Sequence, residues 1–406
     1  MELLKKDLEN ACLFTLAKNP DPALLKGINH WPGVCDFLAS RKIAGVFFRR
    51  LNAMGLSHLA PEPELEKVRQ FYYFTALKNK VLFSELMKLW PVFSGKNVAL
   101  VLLKGSSLIA RGFFQPGERF QADLDFLISG MERPELKVLL GDAGYDYMEH
   151  SDPRSWSEEH YIRSGSKGVD DVFSVFLEFH YTFRPLNEGS GAELAKAIFK
   201  SSQAVEYKGR TYQIPRAEMQ FYQASIHGSA YHPFDSAYFW VSLSDQAAIM
   251  NSVPLNYSLI AEHAQNQRML EHLGLMSWIL ANKLGYGKEL WETIANKTPK
   301  MRGVMEETGQ ALWQGLLNSN PVSFSSLVYI LSRSNLKTRV HSLLELTRLA
   351  KGEHFHVQGK RLNPPRPGFI ALFLSRLKRF NGEYARLIWQ VAKFYKKTKY
   401  QLRDDN

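Results

Sequence analysis

The sequence predicts an α+β protein in which a small α/β core lies between helical segments. Three observations support this class. Residues 97–130 pass from an apolar run through a glycine-containing turn and a helical stretch to a second apolar run, which indicates a strand–helix–strand unit. Residues 160–183 and 203–214 each contain two strand-like runs separated by turn residues. Most of the remaining chain, to about Leu349, has apolar residues at helical spacing.

Two aspartates lie on the second apolar run of the 97–130 unit. Successive side chains of a β-strand point to opposite faces, so Asp123 and Asp125 project from one face and Leu124 from the other. Two carboxylates this close repel each other in their ionised forms unless a cation neutralises them. Hard oxygen ligands with open coordination positions suit Mg²⁺ bound to nucleotide phosphates. The pair therefore predicts a magnesium–nucleotide site.

The turn before these aspartates has the composition of a phosphate-binding segment. Four residues follow the strand predicted for Val98–Leu103 and open a helix: Lys104, Gly105, Ser106 and Ser107. A glycine lets the backbone approach a phosphate closely, and a helix N-terminus offers unpaired N–H groups. The same four residues also fit an ordinary connection, but their combination with strand-borne carboxylates favours nucleotide binding.

The run LLKGSSLIARGF…ERFQADLDFLIS resembles the nucleotidyltransferase superfamily that includes DNA polymerase β, where a strand, a glycine-containing turn and a helix precede a D-x-D strand. It is more similar to an uncharacterised bacterial nucleotidyltransferase family with an LKG…R…DxD pattern and a later acid-x-His strand. The residues that match this pattern are Lys104, Gly105, Arg119, Asp123 and Asp125. The resemblance covers about residues 60–260 and departs at Gln121-Ala122, which replaces a small polar pair.

A later strand supplies the acid and the histidine of the same pattern. Alternation along this strand places Glu178 and His180 on one face. Members of the superfamily carry a third carboxylate on a strand beside the D-x-D strand, and Glu178 matches it, while His180 matches the histidine of the related family. Either residue alone would be more typical of a surface acid or a core histidine.

The resemblance implies a polymerase β-like core with a mixed sheet, flanked by N-terminal helices and a C-terminal helical bundle. It implies transfer of a nucleoside monophosphate from an NTP, ATP foremost, to an acceptor hydroxyl with release of pyrophosphate. The acceptor stays open among a small molecule, a sugar, a peptide and a protein. Alternatives are a toxin-like enzyme that modifies tRNA and a non-catalytic nucleotide-binding scaffold at a membrane surface.

The resemblance also implies roles for individual residues. Two Mg²⁺ ions would be held by Asp123, Asp125 and Glu178. The triphosphate would be bound by Lys104, Gly105, Ser106, Ser107 and Arg119. His180 would orient Glu178 or the acceptor, which makes it the fourth catalytic residue.

Four segments are predicted along the chain: an N-terminal helical segment at 1–96, the catalytic domain at 97–215, a helical domain at 216–350 and a basic tail at 351–406. Helical spacing continues to Gly55, where the helix is predicted to end, and a second helix follows the proline- and glutamate-rich start at 61–64. Three residues of the helical domain resemble family positions, with substrate lining and core hydrogen bonding both open: His227, His232 and Asp245.

The composition argues against several classes of protein. A hydrophobic content of 45% is too high for wholesale disorder. Cys12 and Cys35 are the only cysteines and lack CxxC spacing, so neither a disulfide framework nor a zinc site is indicated. The first residues lack the apolar core of a signal peptide, and no apolar run reaches the ~20 residues that span a bilayer. We therefore expect a cytoplasmic protein.

The basic excess is confined to the C-terminal tail. From Lys360 to Arg403 there are twelve Lys and Arg residues against one acid, Glu383, so the net charge of +11 arises there and the body is balanced. A basic amphipathic helix around 369–379 and a second one after Gly382 suit contact with an anionic membrane surface or with RNA. These helices fit equally well with packing on the body of the protein, so both interpretations stay open.

Overall fold

The computed structural model describes residues 2–317 with gaps at 94, 149–157, 164–173, 184–189, 232–235 and 268, together with 356–357 and 360–361. Both predicted helices of the basic tail lie outside the described residues, as does His232. Within the described part, no helix combines the length and apolar character needed to cross a bilayer. The architecture is a five-stranded mixed sheet flanked by helices, which confirms the predicted α+β class.

Helices form the segment before the sheet. They are α1 Glu2–Leu16, α2 Ala23–Lys26, α3 Trp31–Ser40, α4 Ala44–Ala53 and α5 Glu62–Leu89, with 3₁₀ turns at Ser57–Leu59 and Trp90–Phe93. Gly55 ends α4 as predicted, because its left-handed backbone (φ +68°) lets the Leu56 N–H reach back to the carbonyl of Leu51 at 2.9 Å.

The helical spacing before Gly55 belongs to two helices, since the chain turns between α3 and α4. Lys42 adopts a left-handed backbone (φ +61°) there, and its N–H donates to Ala39 O at 3.0 Å. The Ile43 N–H donates to Leu38 O at 3.0 Å. These two bonds form a Schellman motif with lysine at the position that usually holds glycine. The periodicity of apolar residues alone does not predict such a break between two helices.

The sheet has the order β1-β2-β5-β4-β3, and β2 and β5 are its parallel pair. Its strands are β1 Ala99–Leu102, β2 Asp123–Ser129, β3 Asp146–Met148, β4 Glu158–Arg163 and β5 Val175–His180. Helix α6 Lys104–Ala110 follows β1, and helix α7 Arg133–Asp142 follows β2. Because β2 is an interior strand, the D-x-D strand has neighbours on both sides, and β5 can place a third acid beside it.

The predicted hairpin at 203–214 is confirmed. Helix α8 Ser190–Ser201 leads into strands β6 Gln203–Tyr207 and β7 Arg210–Ile214. The two connecting residues, Lys208 and Gly209, both have positive φ (+49° and +73°), which is the requirement of a two-residue turn that matches the twist of the strands.

Helices again form the segment after the hairpin. They are α9 Ala217–Ile226, α10 Ser236–Ser252, α11 Tyr257–Asn266, α12 Leu270–Asn282, α13 Lys288–Lys297 and α14 Arg302–Leu316. A π-helical stretch at His227–Tyr231 follows α9, a 3₁₀ turn at Pro299–Met301 precedes α14, and the short strands β8 His356–Val357 and β9 Lys360–Arg361 pair with each other.

One connected apolar core joins these segments. Phe126 on β2 stacks on Phe179 on β5 with ring centroids 4.8 Å apart, so the middle of the sheet is filled by aromatic rings. Trp240 on α10 packs against Phe37 on α3 (6.0 Å) and against Trp313 on α14 (5.5 Å). The N-terminal and C-terminal helices thus pack on each other within this core.

Candidate active site

Lys104 stands where β1 meets α6. The Leu103 N–H donates to Asp125 O at 2.9 Å, which extends the β1–β2 pairing and brings Lys104 beside Asp125. Lys104 has a left-handed backbone (φ +46°), and the Ser107 N–H donates to Leu103 O at 3.2 Å. The Lys-Gly-Ser-Ser segment therefore opens α6, as predicted, and forms its first turn.

The parallel pairing of β2 and β5 puts Asp125 directly opposite Glu178. The Lys104 ammonium contacts the Asp125 carboxylate and lies 3.4 Å from Glu178 Oε2. The sheet thus brings together Lys104 and Asp125 from the 97–130 unit and Glu178 from the later acid-x-His strand.

His180 lies in the same cluster and is only 5% exposed. Its Nε2 is 3.3 Å from Glu178 Oε1 and 3.5 Å from Asp125 Oδ1. This imidazole therefore contacts both central carboxylates, in agreement with the strand alternation that predicted its face.

Strand β4 adds a second acid-x-His pair that the sequence reasoning missed. In the antiparallel β4–β5 register, Glu158 faces His180 and His160 faces Glu178. Glu158 Oε2 is 3.5 Å from His180 Nδ1, and His160 Nε2 is 3.7 Å from Glu178 Oε1. The signal that could have found them is the repeat itself, because Glu158-Glu159-His160 has the spacing of Glu178-Phe179-His180.

Asp123 begins β2, opposite Phe176, and is half-buried. Burial and the neighbouring charge of Asp125 raise the pKa of Asp123 to about 7, although Lys104 partly offsets them. The two aspartates thus interact strongly, as their spacing predicted.

Lys104 and the histidines interact electrostatically with the carboxylates of the cluster, and these interactions shift the pKa values of both partners. Burial alone would lower the pKa of the Lys104 ammonium, but Asp125 and Glu178 raise it well above its usual value. Burial alone would raise the pKa of Glu178, but Lys104 and the two histidines hold it well below its usual value. Burial would also lower the pKa of His160, yet Glu158 and Glu178 raise it to about 9. The cluster therefore concentrates anionic groups and draws cations to them.

An ion pair with Asp245, which lies 126 residues later in the sequence, fixes the position of Arg119. Its Nε and Nη2 donate to the two carboxylate oxygens of Asp245 on α10, at 2.5 and 2.9 Å. Both side chains are largely buried, with exposures of 11% and 7%. Asp245 is one of the helical-domain positions left open between substrate lining and core bonding, and in the structure it positions Arg119.

The loop before β2 is held by buried amides. The Asn79 side chain donates to Pro116 O at 2.6 Å and to Arg119 O at 2.8 Å. It also accepts from the Gln121 side chain at 2.9 Å. A Cβ on Gly105 would come within 2.9 Å of the Gln121 side chain, so glycine allows α6 to approach this loop. Gln121, where the chain departs from the resembled pattern, is thus part of the loop's framework.

The two serines of α6 point into the protein. The Ser106 hydroxyl donates to Gln121 Oε1 at 2.6 Å, and the Ser107 hydroxyl donates to Lys104 O at 2.8 Å and accepts from Gln220 at 2.9 Å. Their side chains therefore fix α6 against the loop and α9.

His227 is another of the helical-domain positions left open between substrate lining and core bonding. Its ring packs edge-on against Tyr238, with ring centroids 5.4 Å apart.

The donor set fits a divalent cation. Among the described residues, donor atoms of two groups lie within 4.8 Å of one another: Asp125, Glu178 and His180, and Glu158, His160 and Glu178. Asp123 belongs to neither group. The buried Nε2 of His180 makes no hydrogen bond within the described chain, so it is available as a ligand. Carboxylate oxygens suit Mg²⁺ and Mn²⁺, and an imidazole nitrogen adds affinity for transition metals.

Comparison with protein families gives one assignment that accords with this geometry. The family model described as "Uncharacterised nucleotidyltransferase" matches residues 29–285, which include β1 to β7 and helices α3 to α12. Searches of curated proteins and of solved structures gave no match.

Proposed function

Because the chain belongs to this family of uncharacterised nucleotidyltransferases, we propose that it transfers the nucleoside monophosphate of an NTP, ATP foremost, to an acceptor hydroxyl in a Mg²⁺-dependent reaction. The observation that supports the proposal is the placement of Asp125 and Glu178 side by side on parallel strands, with the Lys104 ammonium in contact with both.

The residues proposed to hold the metal are Asp123, Asp125 and Glu178, with His180 adjacent to two of them. Divalent ions bound there would stabilise charge on the transferring phosphate and activate the acceptor hydroxyl. His180, whose Nε2 lies 3.3 Å from Glu178 Oε1, is proposed to orient Glu178 or the acceptor. Glu158 in turn holds the other ring nitrogen of His180 at 3.5 Å.

The reaction proposed is an in-line displacement at the α-phosphorus. The acceptor oxygen forms a bond to the α-phosphorus while the bond to the bridging oxygen of the β-phosphate breaks, and pyrophosphate leaves. The proton of the acceptor hydroxyl passes to a carboxylate of the cluster. Lys104 and the backbone N–H groups of Gly105 and Ser106 would contact the phosphates, since the Ser107 N–H already donates to Leu103 O. Arg119, fixed by Asp245, would add positive charge beside them.

The acceptor is proposed to be a small molecule, a sugar, a peptide or a protein. The proposal is tested by incubating the protein with each α-labelled NTP, Mg²⁺ and a cell lysate, and identifying the labelled product. We expect one labelled class in the wild type and none with Asp125→Asn. Glu206→Gln, which removes an exposed acid on β6, is the matched control and should label normally. Equal labelling by Asp125→Asn would contradict the proposal.

A further inference from the structure

Two lysines from separate helical segments converge on one aromatic ring beside the carboxylate cluster. The ammonium groups of Lys42 and Lys78 each lie 5.3 Å from the ring centroid of Phe120. Lys42 also lies 4.7 Å from the ring centroid of Tyr238. Phe120 is three residues before Asp123, so this group is contiguous with the start of β2.

Both lysines are held by rigid backbone. Lys42 is fixed at the left-handed turn between α3 and α4 (φ +61°). Lys78 precedes Asn79 on α5, and the Asn79 amide binds the carbonyls of Pro116 and Arg119 in the loop that carries Phe120. The ring and the two ammonium groups therefore belong to one ordered unit. Each lysine side chain is also half-buried, unlike the exposed Lys80 two residues further on.

The electrostatics of this unit favour an anion. Burial and the charge of Lys42 lower the pKa of Lys78, while Asp123 partly offsets them. Two cations held near each other repel, and a bound anion relieves that repulsion. Within the described residues, Lys78 makes no ion pair.

Two further basic groups near the cluster, Lys104 and Arg119, form ion pairs with carboxylates. Lys104 contacts Asp125 and Glu178, and Arg119 is paired with both carboxylate oxygens of Asp245. A triphosphate is highly anionic, and these two residues would have to leave carboxylate partners to neutralise it fully. Lys42 and Lys78 supply positive charge next to Asp123 without breaking either ion pair.

We propose that Lys42 and Lys78 form a subsite for the terminal phosphates of the NTP, with Phe120 as the surface that holds their side chains. The inference rests on the proposed function and adds to it the residues that distinguish a triphosphate from a monophosphate. It predicts that affinity rises with the number of phosphates, and that this gain depends on the two lysines.

The test measures binding of ATP, ADP, AMP and inorganic tripolyphosphate by isothermal titration calorimetry with Mg²⁺ present. The variants are Lys42→Met, Lys78→Met and the double substitution, because methionine preserves packing on the ring. For each lysine removed, we expect roughly tenfold weaker binding of ATP and tripolyphosphate, with AMP unchanged. Lys78→Arg, which keeps the positive charge, should bind ATP and tripolyphosphate much more tightly than Lys78→Met does. Lys80→Met, on the exposed side of α5, is the matched control and should bind like the wild type.

Other outcomes would overturn the inference. Unchanged tripolyphosphate binding in the double variant would overturn it, even if the wild type still transfers nucleotides, and the proposed function would then stand. An equal loss for AMP and ATP would also overturn it, since that pattern indicates a general disturbance of the site. If the wild type neither binds ATP or tripolyphosphate nor labels any acceptor, the proposed function fails and the subsite fails with it.

Discussion

The carboxylate cluster on β2 and β5 and the Arg119–Asp245 pair both bury charge, but they balance it differently. Arg119 and Asp245 form a one-to-one pair in which two guanidinium nitrogens meet two carboxylate oxygens. In the carboxylate cluster, Asp125 and Glu178 instead share one lysine partner, Lys104, while Asp123 and the histidines lie around them. A balanced buried pair serves the fold, whereas an unbalanced cluster creates a demand for further cations.

Because the cluster has more acids than its cationic partners balance, a substitution there should lower activity strongly and change stability little. Asp125→Asn should reduce nucleotide transfer by about a thousandfold while the protein stays folded, because it removes a proposed metal ligand from a group of repelling acids. Glu178→Gln should act similarly, and His180→Ala should lose less. Transfer assays and thermal melting check this, with Glu206→Gln as the control. Wild-type activity in Asp125→Asn would place the metal ligands elsewhere.

The balanced pair should show the opposite result. Asp245→Asn leaves the buried Arg119 guanidinium without its partner, so we expect the free energy of unfolding to fall by about 3–5 kcal/mol. Urea denaturation measures the change. A second substitution, Arg119→Met in the Asp245→Asn background, removes the orphaned charge and should recover part of the loss. If Asp245→Asn unfolds at the wild-type urea concentration, the pair does not stabilise the fold.

Asp123 provides the pH-dependent part of the comparison. Its folded pKa of about 7 lies above its ordinary value of 3.8, so the folded state binds the proton more tightly. Its contribution to stability is therefore favourable at low pH and is lost as the pH rises toward 7. In metal-free protein, Asp123→Asn should raise the free energy of unfolding by roughly 1–3 kcal/mol at pH 8 and by little at pH 4. A gain of equal size at both pH values would show that the cause is not this ionisation.

The second acid-x-His pair should have the smallest effect. Glu158 and His160 face His180 and Glu178 across the β4–β5 register, so they position the cluster from outside. Glu158→Gln and His160→Gln should each lower transfer by about tenfold and weaken Mn²⁺ binding by a similar factor. A loss as large as that of Asp125→Asn would instead make β4 a direct contributor of metal ligands.

The sequence predicts the parts of the site that local rules determine. Strand alternation is enough to place Asp123 with Asp125 and Glu178 with His180, and the resemblance links these strands to Lys104. Cross-strand pairing is not local, so the contact between His160 and Glu178 depends on a register that alternation does not specify. The same holds for Arg119 and Asp245, which only the folded chain brings together.

The helical segments also contain features that sequence patterns do not predict, because they depend on contacts formed in the folded chain. Apolar spacing predicts helices before Gly55, but the break at Lys42 depends on backbone hydrogen bonds donated by Lys42 and Ile43, with Lys42 in a left-handed conformation that usually requires glycine. That break is what directs Lys42 toward Phe120. Gln121 and Asn79 likewise look like ordinary polar residues in the sequence, yet their mutual hydrogen bond holds the loop in front of β2.

The central claim is that the carboxylate cluster supports transfer of a nucleotidyl group, and the position of the label tests it most directly. The protein is given ATP labelled either at the α-phosphate or at the γ-phosphate, with Mg²⁺ and the acceptor fraction identified from lysate. We predict that the product retains the α-label and lacks the γ-label, and that Asp125→Asn forms no product. Transfer of the γ-label, or α-label transfer that persists in Asp125→Asn, would contradict the account.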